Sequence, residues 1–313
     1  MTKQTSSASS SLLGRIAVSL VLLAGAIWIL AAHWPVVSKS LHIARTAQLG
    51  WIGVSIGAMA ATFCIAAAMY GVLALHHLRY RQTVLVEYAA AFVNRLLPSG
   101  LGGLGLHGVY LYKRKHTVAQ ATAVVSVNNL IGISGHLVLL LGVALLSPAA
   151  FRRLISGMHI PGGWGFLVGL VFVGISTVAM WMLRRRVAGF IKNLLISLKA
   201  LHTQKVTNAL GLAMLLTATY TAILYCVARS LDLPITVLQA FIIFSLGMLA
   251  STATPTPGGL IGAEAGLFAG FVAYGATDVS AGAAVLLYRL ITYWLPLPIG
   301  LFALLMARRR RVI

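Results

Sequence analysis

Residues 251–270 read STATPTPGGLIGAEAGLFAG. Here an apolar run is interrupted by Pro255 and Pro257, and glycine then recurs at every fourth position from Gly258. The same stretch carries Glu264, one of only 4 acidic residues in the chain. Proline cannot donate a backbone hydrogen bond, and glycine lets the chain leave helical geometry. The stretch therefore predicts a helix that breaks and leaves backbone polar groups free at the break.

The composition of the whole chain indicates whether this break lies in water or in a membrane. Of 313 residues, 59% are hydrophobic and only 9% are charged, whereas about 25% are charged in soluble domains. Several runs reach the roughly 20 apolar residues that cross a bilayer as a helix. Because lipid offers no hydrogen bonds, spanning segments of this kind must satisfy their backbone internally. We therefore predict an all-α, polytopic helical membrane protein.

The apolar runs fall into two kinds. Six of them predict full spans, at residues 15–33, 50–75, 117–146, 163–183, 206–229 and 279–307. Two others, 83–112 and 236–275, are broken near their centres by LLPSGLGGLG and ATPTPGGLIG. Each broken run predicts two short helices that form a re-entrant hairpin, entering and leaving on the same side of the membrane. As an alternative, 236–254 and 259–275 are two thin full spans.

The order span, broken hairpin, span occurs twice, over 50–146 and over 206–307. The second copy starts from the opposite side, as in an inverted repeat, whose paired interrupted segments mark a substrate site near the midplane. We predict one transmembrane domain over 1–313, with these two repeats joined by a cytoplasmic linker. The linker, 184–205, mixes basic and apolar residues as interfacial amphipathic helices do.

The basic residues predict the orientation. Of the 24 Lys and Arg residues, seventeen fall on one side of this arrangement. Five fall on the other: Lys39, Arg45, Arg152, Arg153 and Arg229. Because cytoplasmic loops are enriched in Lys and Arg, the N- and C-termini are predicted to be cytoplasmic, in a cell (inner) membrane.

The charges at membrane depth are the candidate site residues. The glycines at 258, 262, 266 and 270 form a stripe along one side of the predicted helix. Glu264 points away from this glycine stripe, because two residues turn a helix by about 200°. Arg289 lies in the last span, and Arg95 lies just before the first break. Each arginine could pair with Glu264 as structural glue or bind a lipid phosphate, and simple proline kinks are the alternative for the breaks. The candidate substrate-binding residues are Glu264, Arg289, Arg95, Asn94, Pro257, Gly258, Gly259 and Tyr293.

No cofactor, metal ligand set or catalytic residue is expected. The four acidic residues, Glu87, Asp232, Glu264 and Asp278, are widely separated in sequence. The nine histidines, His107 among them, are scattered without metal-ligand spacing, and we interpret them as interfacial or hydrogen-bonded side chains. The high net charge follows membrane topology, so no nucleic-acid partner is expected.

The segments AAAFVNRLLPSGLGG, TPTPGGLIGAEAGL and LLYRLITYWLPLPIG resemble the lysylphosphatidylglycerol synthase transmembrane-region family, the flippase part of the multiple peptide resistance factor and its stand-alone relatives. The resemblance extends from about residue 45 to 305. It implies a lipid translocase fold, with Glu264 and Arg289 as the matching charged positions. The sequence departs from many relatives at 106–108 and at Asn128, Asn129 and Ser134, so the resemblance leaves the substrate open.

The resemblance implies a translocase that moves an anionic or isoprenoid-type lipid between leaflets, with a phospholipid, polyprenyl or hopanoid-type lipid as its partner. Two alternatives stay open: a membrane enzyme, or a non-transporting scaffold of a lipid or glycolipid pathway. A lipid-modifying enzyme or glycosyltransferase is a candidate protein partner. The sequence has no room for the soluble aminoacyl-transferase domain of the full synthases, so lysyl transfer is not expected.

Overall fold

The computed structural model describes residues 34–96, 101–157, 203–253, 259 and 261–313. These ranges are helical and contain no strand. The helices are α1 Trp34–Arg45, α2 Leu49–Leu73, α3 Tyr80–Leu96, α4 Leu101–Lys113, α5 Val118–Leu146, α6 Pro148–Gly157, α7 Thr203–Ser230, α8 Val237–Ala253, α9 Gly262–Ala273, α10 Asp278–Arg289 and α11 Pro296–Arg309. A π-helical segment, Leu290–Trp294, joins α10 to α11.

Four continuous helical stretches are long and apolar enough to cross a membrane: Leu49–Leu73, Val118–Leu146, Thr203–Ser230 and Asp278–Arg309. They confirm the spans predicted at 50–75, 117–146, 206–229 and 279–307. Large apolar side chains such as Leu141 and Leu145 point outward from the bundle, as expected where a helix contacts lipid. The predicted polytopic helical membrane fold is thus confirmed. The predicted spans 15–33 and 163–183 and nearly all of linker 184–205 lie outside the described residues.

The helix starts follow from local sequence. Thr117 caps α5 by accepting a hydrogen bond from the Gln120 amide at 3.2 Å, while the Gln120 side chain accepts one from the Thr117 amide at 2.9 Å. Thr236 and Gln239 make the same reciprocal pair at the start of α8, at 3.2 and 2.8 Å. Such capping boxes satisfy amides that the first helical turn leaves free.

Both broken runs form antiparallel helical hairpins. Hairpin 1 consists of α3 and α4, and hairpin 2 consists of α8 and α9, and the two helices of each pack together. The 12 residues of α9 extend about 18 Å, well short of the roughly 30 Å of a hydrocarbon core. This length favours a re-entrant hairpin over two full spans.

The two hairpins are closed by different chemistry. In hairpin 2 the glycine stripe packs on α8: a Cβ added to Gly266 would lie 2.7 Å from the Leu246 carbonyl oxygen and 2.9 Å from the Gly247 Cα. The stripe therefore packs against α8 at Gly266 and at Gly270, which meets Ile243. Small residues of this kind let two helix backbones approach closely.

Hairpin 1 is instead closed by four polar contacts between α3 and α4 or the turn after it. From the open end inward they are Gln82 with Arg114, Thr83 with Tyr110, Glu87 with His107, and Asn94 with the Gly103 amide. Their donor–acceptor distances are 2.7, 3.0, 3.0 and 2.6 Å. Polar contacts therefore join the two sides of hairpin 1 at four levels between Gln82 and Asn94.

The hairpins open toward opposite ends of the bundle. Hairpin 1 opens at the end where Lys205 donates to the Ala74 carbonyl at 3.2 Å and His116 accepts from the Leu75 amide at 3.1 Å. We call this the basic end, because the C-terminal arginines 308–311 also follow α11 there. Hairpin 2 opens at the opposite end, where Tyr274 donates to the Ala150 carbonyl at 2.9 Å.

The helix directions in the two halves are opposed. The amide of Gln48, just before α2, donates to the carbonyl of Ser230, the last residue of α7, at 2.9 Å. Since α2 starts where α7 ends, these two packed helices run antiparallel. This is the relation that an inverted repeat requires, and the division of the chain into repeats at 50–146 and 206–307 stays a prediction.

Two short helices were not predicted from the sequence. Helix α1 packs against α10, where Ser40 donates to the Val279 carbonyl at 3.0 Å. Helix α6 packs against α9. Both lie at the end opposite the basic end, and both contain basic residues that we had assigned to loops.

Candidate functional site

Glu264 and Arg289 form an ion pair. Nε of Arg289 donates to Oε1 of Glu264 at 2.6 Å, and their side chains are 14% and 32% exposed, respectively. Glu264 lies in the first turn of α9, where the helix dipole favours a negative charge, and Arg289 is the last residue of α10. The glutamate thus points away from the glycine stripe, as the helical spacing predicts, and Arg289 rather than Arg95 is its partner.

Tyr293 of the π-helical segment lies close to two arginines. The guanidinium carbon of Arg289 lies 4.7 Å from the centre of the Tyr293 ring, and that of Arg95 lies 5.2 Å from it. Both distances are within the range of cation–π attraction. Tyr293 therefore connects hairpin 1, which carries Arg95, to the ion pair that holds hairpin 2.

Arg95 is anchored to backbone. Its two terminal nitrogens donate to the Ala91 carbonyl at 2.8 Å and to the Thr292 carbonyl at 2.6 Å. Pro296 explains why the second acceptor is available, since proline has no amide hydrogen to give to the carbonyl four residues earlier. The Thr292 hydroxyl turns away and donates to the Tyr288 carbonyl at 2.7 Å.

The π-helical segment changes the geometry that we predicted for the last span. A continuous α-helix over the predicted span 279–307 would place Arg289 on one face with residues 292, 293 and 296. Instead, the Leu295 amide donates to the Leu290 carbonyl five residues earlier, at 2.8 Å. Such π-bulges frequently occur at functional sites.

The other predicted site residues occupy the hairpin tips. Asn94 holds the tip of hairpin 1 together, because its side-chain oxygen accepts from the Gly103 amide at 2.6 Å. Gly259 has a φ of 66°, and a Cβ there would collide with the side chain of Ser251, so glycine is required on both counts. Pro257 and Gly258 lie outside the described residues, as does Pro98.

The cluster carries a net positive charge. Arg95 and Arg289 contribute two positive charges and Glu264 contributes one negative charge. Within the described ranges Arg95 makes no ion pair with a carboxylate. Nε of Arg95 and one terminal nitrogen of Arg289 are buried and have no hydrogen-bond partner in the same ranges. The arrangement can therefore donate hydrogen bonds to an anionic group.

The comparison with protein families agrees with the resemblance seen in the sequence. The model of the family described as Lysylphosphatidylglycerol synthase TM region matches residues 12–300. The chain belongs to this family. A comparison with curated protein sequences finds no match. Membership implies a membrane function related to lipid, and the matched range contains the whole charged cluster around Tyr293.

One polar pair in this member of the lysylphosphatidylglycerol synthase TM region family was missed by the sequence analysis. Glu87 and His107 lie opposite each other in hairpin 1, with Nε2 of His107 3.0 Å from Oε1 of Glu87. Their side chains are 11% and 6% exposed. The interpretation of His107 as hydrogen-bonded is correct, but its partner was not predicted. The available signal was that both residues lie at nearly equal distances from the break in LLPSGLGGLG.

Proposed function

We propose that the protein moves a lipid with an anionic headgroup between the two leaflets of the membrane. The observation that carries this proposal is the excess positive charge around Tyr293, at the place where the two broken hairpins are tied to the last span. A charged side chain at membrane depth is costly and is a functional candidate by default. A lipid phosphate would compensate the charge of Arg95.

The geometry supports a headgroup path between the hairpins. Arg95 approaches Tyr293 from hairpin 1, whereas Glu264 of hairpin 2 orients Arg289 near the same ring. A phosphate near the ring could accept from both guanidinium groups, because charge-assisted hydrogen bonds of this type are short and strong. Movement of either hairpin would then carry or release the headgroup.

The remaining parts of the proposal concern the setting. We place the basic end in the cytoplasm, in a cell (inner) membrane, and we propose a transporter rather than an enzyme. The lipid is a phospholipid or a polyprenyl or hopanoid-type lipid that carries an anionic group. The functions that compete with transport are a membrane enzyme and a scaffold for a lipid-modifying partner.

The decisive experiment measures lipid movement by the purified protein in vesicles with labelled phosphatidylglycerol in one leaflet. Arg95→Gln is compared with Arg114→Gln as a matched control. Arg114 also accompanies a tyrosine ring, with its guanidinium carbon 5.4 Å from the Tyr110 ring centre, but it lies at the open end of hairpin 1. We expect Arg95→Gln to slow phosphatidylglycerol transfer about 10- to 100-fold, the equivalent of roughly 1.5–3 kcal/mol for a hydrogen bond to a charged group.

The control Arg114→Gln should transfer the lipid at the parental rate. If folded parental protein moves no labelled lipid without a partner, the translocase proposal is wrong and the enzyme or scaffold becomes the better explanation. If Arg95→Gln folds and transfers lipid as fast as the control, translocation stands but the headgroup does not bind at Arg95.

A further inference from the structure

The pair formed by Glu87 and His107 has a hydrogen-bond geometry that fixes the number of its protons. Nδ1 of His107 lies 2.8 Å from the carbonyl oxygen of Gly103. A carbonyl oxygen can only accept, so Nδ1 must carry a hydrogen and donate. Nε2 of the same ring lies 3.0 Å from Oε1 of Glu87. One further hydrogen must lie between these two atoms, since two lone pairs would otherwise face each other.

That second hydrogen is exchangeable. With the hydrogen on Nε2 the pair is imidazolium and carboxylate, and with it on Oε1 the pair is neutral imidazole and carboxylic acid. Both forms have a net charge of zero, and the two residues share this one hydrogen. Loss of the hydrogen leaves a net charge of minus one and removes the attraction across the pair. The pair is therefore a binding site for one proton.

The surroundings hold the ring in place. The imidazole of His107 stacks on Tyr70 of α2, with ring centres 4.2 Å apart and planes 4° apart. The ionisable groups that face the pair from the packed helices are Tyr70 of α2 and Tyr220 of α7, both of which are in the electrostatic field of Glu87.

A hydroxyl pair lies between the Glu87–His107 pair and the basic end, where it could form part of a route for the proton. Thr83 and Tyr110 lie one helical turn from Glu87 and His107, toward the open end of hairpin 1. Their hydroxyl oxygens are 3.0 Å apart, and either one can be the donor. A hydroxyl pair that can reverse its direction can pass a proton, because each oxygen both donates and accepts.

The pair is also linked to the proposed lipid site. Glu87 and Arg95 are both on α3, eight residues and about 12 Å apart along the helix. Tyr220 lies within the electrostatic field of both residues. When the pair holds its proton, it has no net charge and does not attract the guanidinium group of Arg95. When the proton leaves, the negative charge of Glu87 competes with a lipid phosphate for the positive charge of Arg95.

We propose that Glu87 and His107 bind one proton together with the anionic headgroup and release both together, so that lipid movement is coupled to proton movement. The inference rests on the proposed translocase function. Coupling between two sites is reciprocal: a proton that favours headgroup binding is itself held more tightly when the headgroup is bound. A proton gradient would then drive the lipid in the direction in which protons flow.

The test uses vesicles that contain the full-length protein, labelled phosphatidylglycerol and an internal pH-sensitive dye. Net lipid transfer is measured with the lumen acidic, alkaline or equal in pH to the bath. For the parental protein we expect transfer in the direction of proton flow to exceed transfer against it by about fivefold or more, the lower end of common coupling strengths. Glu87→Gln cannot release a proton from this position and should abolish the difference between the two gradients.

Asp278→Asn is the matched control. Asp278 is an exposed acidic residue at the start of α10, outside both sites, so the gradient effect should persist in this variant. If Glu87→Gln does not fold, the dye still tests with the parental protein whether lipid and proton movement are coupled: proton entry should require phosphatidylglycerol and should stop in vesicles of phosphatidylcholine, and proton entry without phosphatidylglycerol would overturn the coupling.

The outcomes separate the two proposals. Absence of lipid transfer under every condition overturns the translocase. Equal lipid transfer with and against the gradient, or a gradient effect that survives in folded Glu87→Gln, overturns proton coupling through this pair and leaves the translocase intact.

Discussion

At the scale of single residues, the ion pair of Glu264 and Arg289 could stabilise the fold or bind the lipid headgroup. Removing one member of a buried pair leaves the other charge without compensation, at a cost of roughly 3–5 kcal/mol, whereas removing both can be nearly neutral. Stability and transport can therefore be separated by comparing Glu264→Gln, Arg289→Gln and the double variant.

We expect each single variant to unfold at a lower temperature than the double variant, because only the singles leave an unpaired charge. The double variant should fold and yet lose phosphatidylglycerol transfer, since Arg289 no longer faces Tyr293. Thermal unfolding in detergent and transfer in vesicles are the two measurements. A folded double variant that moves lipid at the parental rate would show that the pair is scaffolding only.

The direction of Glu264 could be predicted from sequence, but its partner could not. The direction depends only on the rotation of about 100° per residue within one helix. The choice of Arg289 over Arg95 depends on how hairpin 2 lies against α10, which is a tertiary relation. The contact between Arg95 and the Thr292 carbonyl was equally hidden, because it involves a backbone atom freed by Pro296 in the other half of the chain.

At the scale of elements, Gly300 brings hairpin 1 close to the last span. A Cβ added to Gly300 of α11 would lie 2.6 Å from the Tyr88 carbonyl oxygen and 2.8 Å from the Phe92 Cβ of α3. Backbone and Cβ atoms cannot move aside as a flexible side-chain end can. The close approach of α11 to α3 also keeps Arg95 within reach of Thr292 and Tyr293.

Gly300→Ala should therefore force α3 and α11 apart and lower the free energy of unfolding by about 1–3 kcal/mol, the usual cost of overpacking. Gly142→Ala is the control, because a Cβ at Gly142 of α5 would meet nothing within 4 Å. That variant should be unchanged or slightly stabilised, since alanine favours a helix over glycine by up to about 1 kcal/mol. Equal melting temperatures of the two variants would contradict this account.

The long helices were predictable as elements, whereas the short ones were not. Val118–Leu146 is an uninterrupted apolar run that follows a capping box, so the local sequence determines both its length and its start. By contrast, α1 contains Pro35, Lys39 and Arg45, which resemble a charged loop. The π-helical segment was missed because it depends on a local rearrangement of hydrogen bonds next to Pro296, which an average helical periodicity does not reveal.

At the scale of the whole molecule, the two hairpins open toward opposite ends, and the prediction of this feature needed only the parity of the spans and the charges of the loops. That reasoning could not predict which atoms are in contact between the hairpins. Contact between the two breaks at mid-membrane stays a prediction, because the prolines of both breaks lie outside the described residues. Among the described residues, Tyr293 and its two arginines connect the hairpins.

The orientation in the membrane is the last prediction, and it follows from the distribution of basic residues over the two ends. Lys113 is exposed at the basic end, and Ala149 is exposed in α6 at the opposite end. The native cysteines would be replaced first, with Cys64→Ser for the exposed one and Cys226→Ala for the buried one. Lys113→Cys and Ala149→Cys would then be labelled separately in intact cells with a membrane-impermeant thiol reagent.

We expect Ala149→Cys to react in intact cells and Lys113→Cys to react only after the membrane is opened, because Lys and Arg are retained on the cytoplasmic side during insertion. This result would place the mouth of hairpin 1, and with it the route to Glu87 and His107, in contact with the cytoplasm. Labelling of both positions from the outside would contradict the helix directions. The reverse pattern would keep the fold but turn it over, so that the proton site would open away from the cytoplasm.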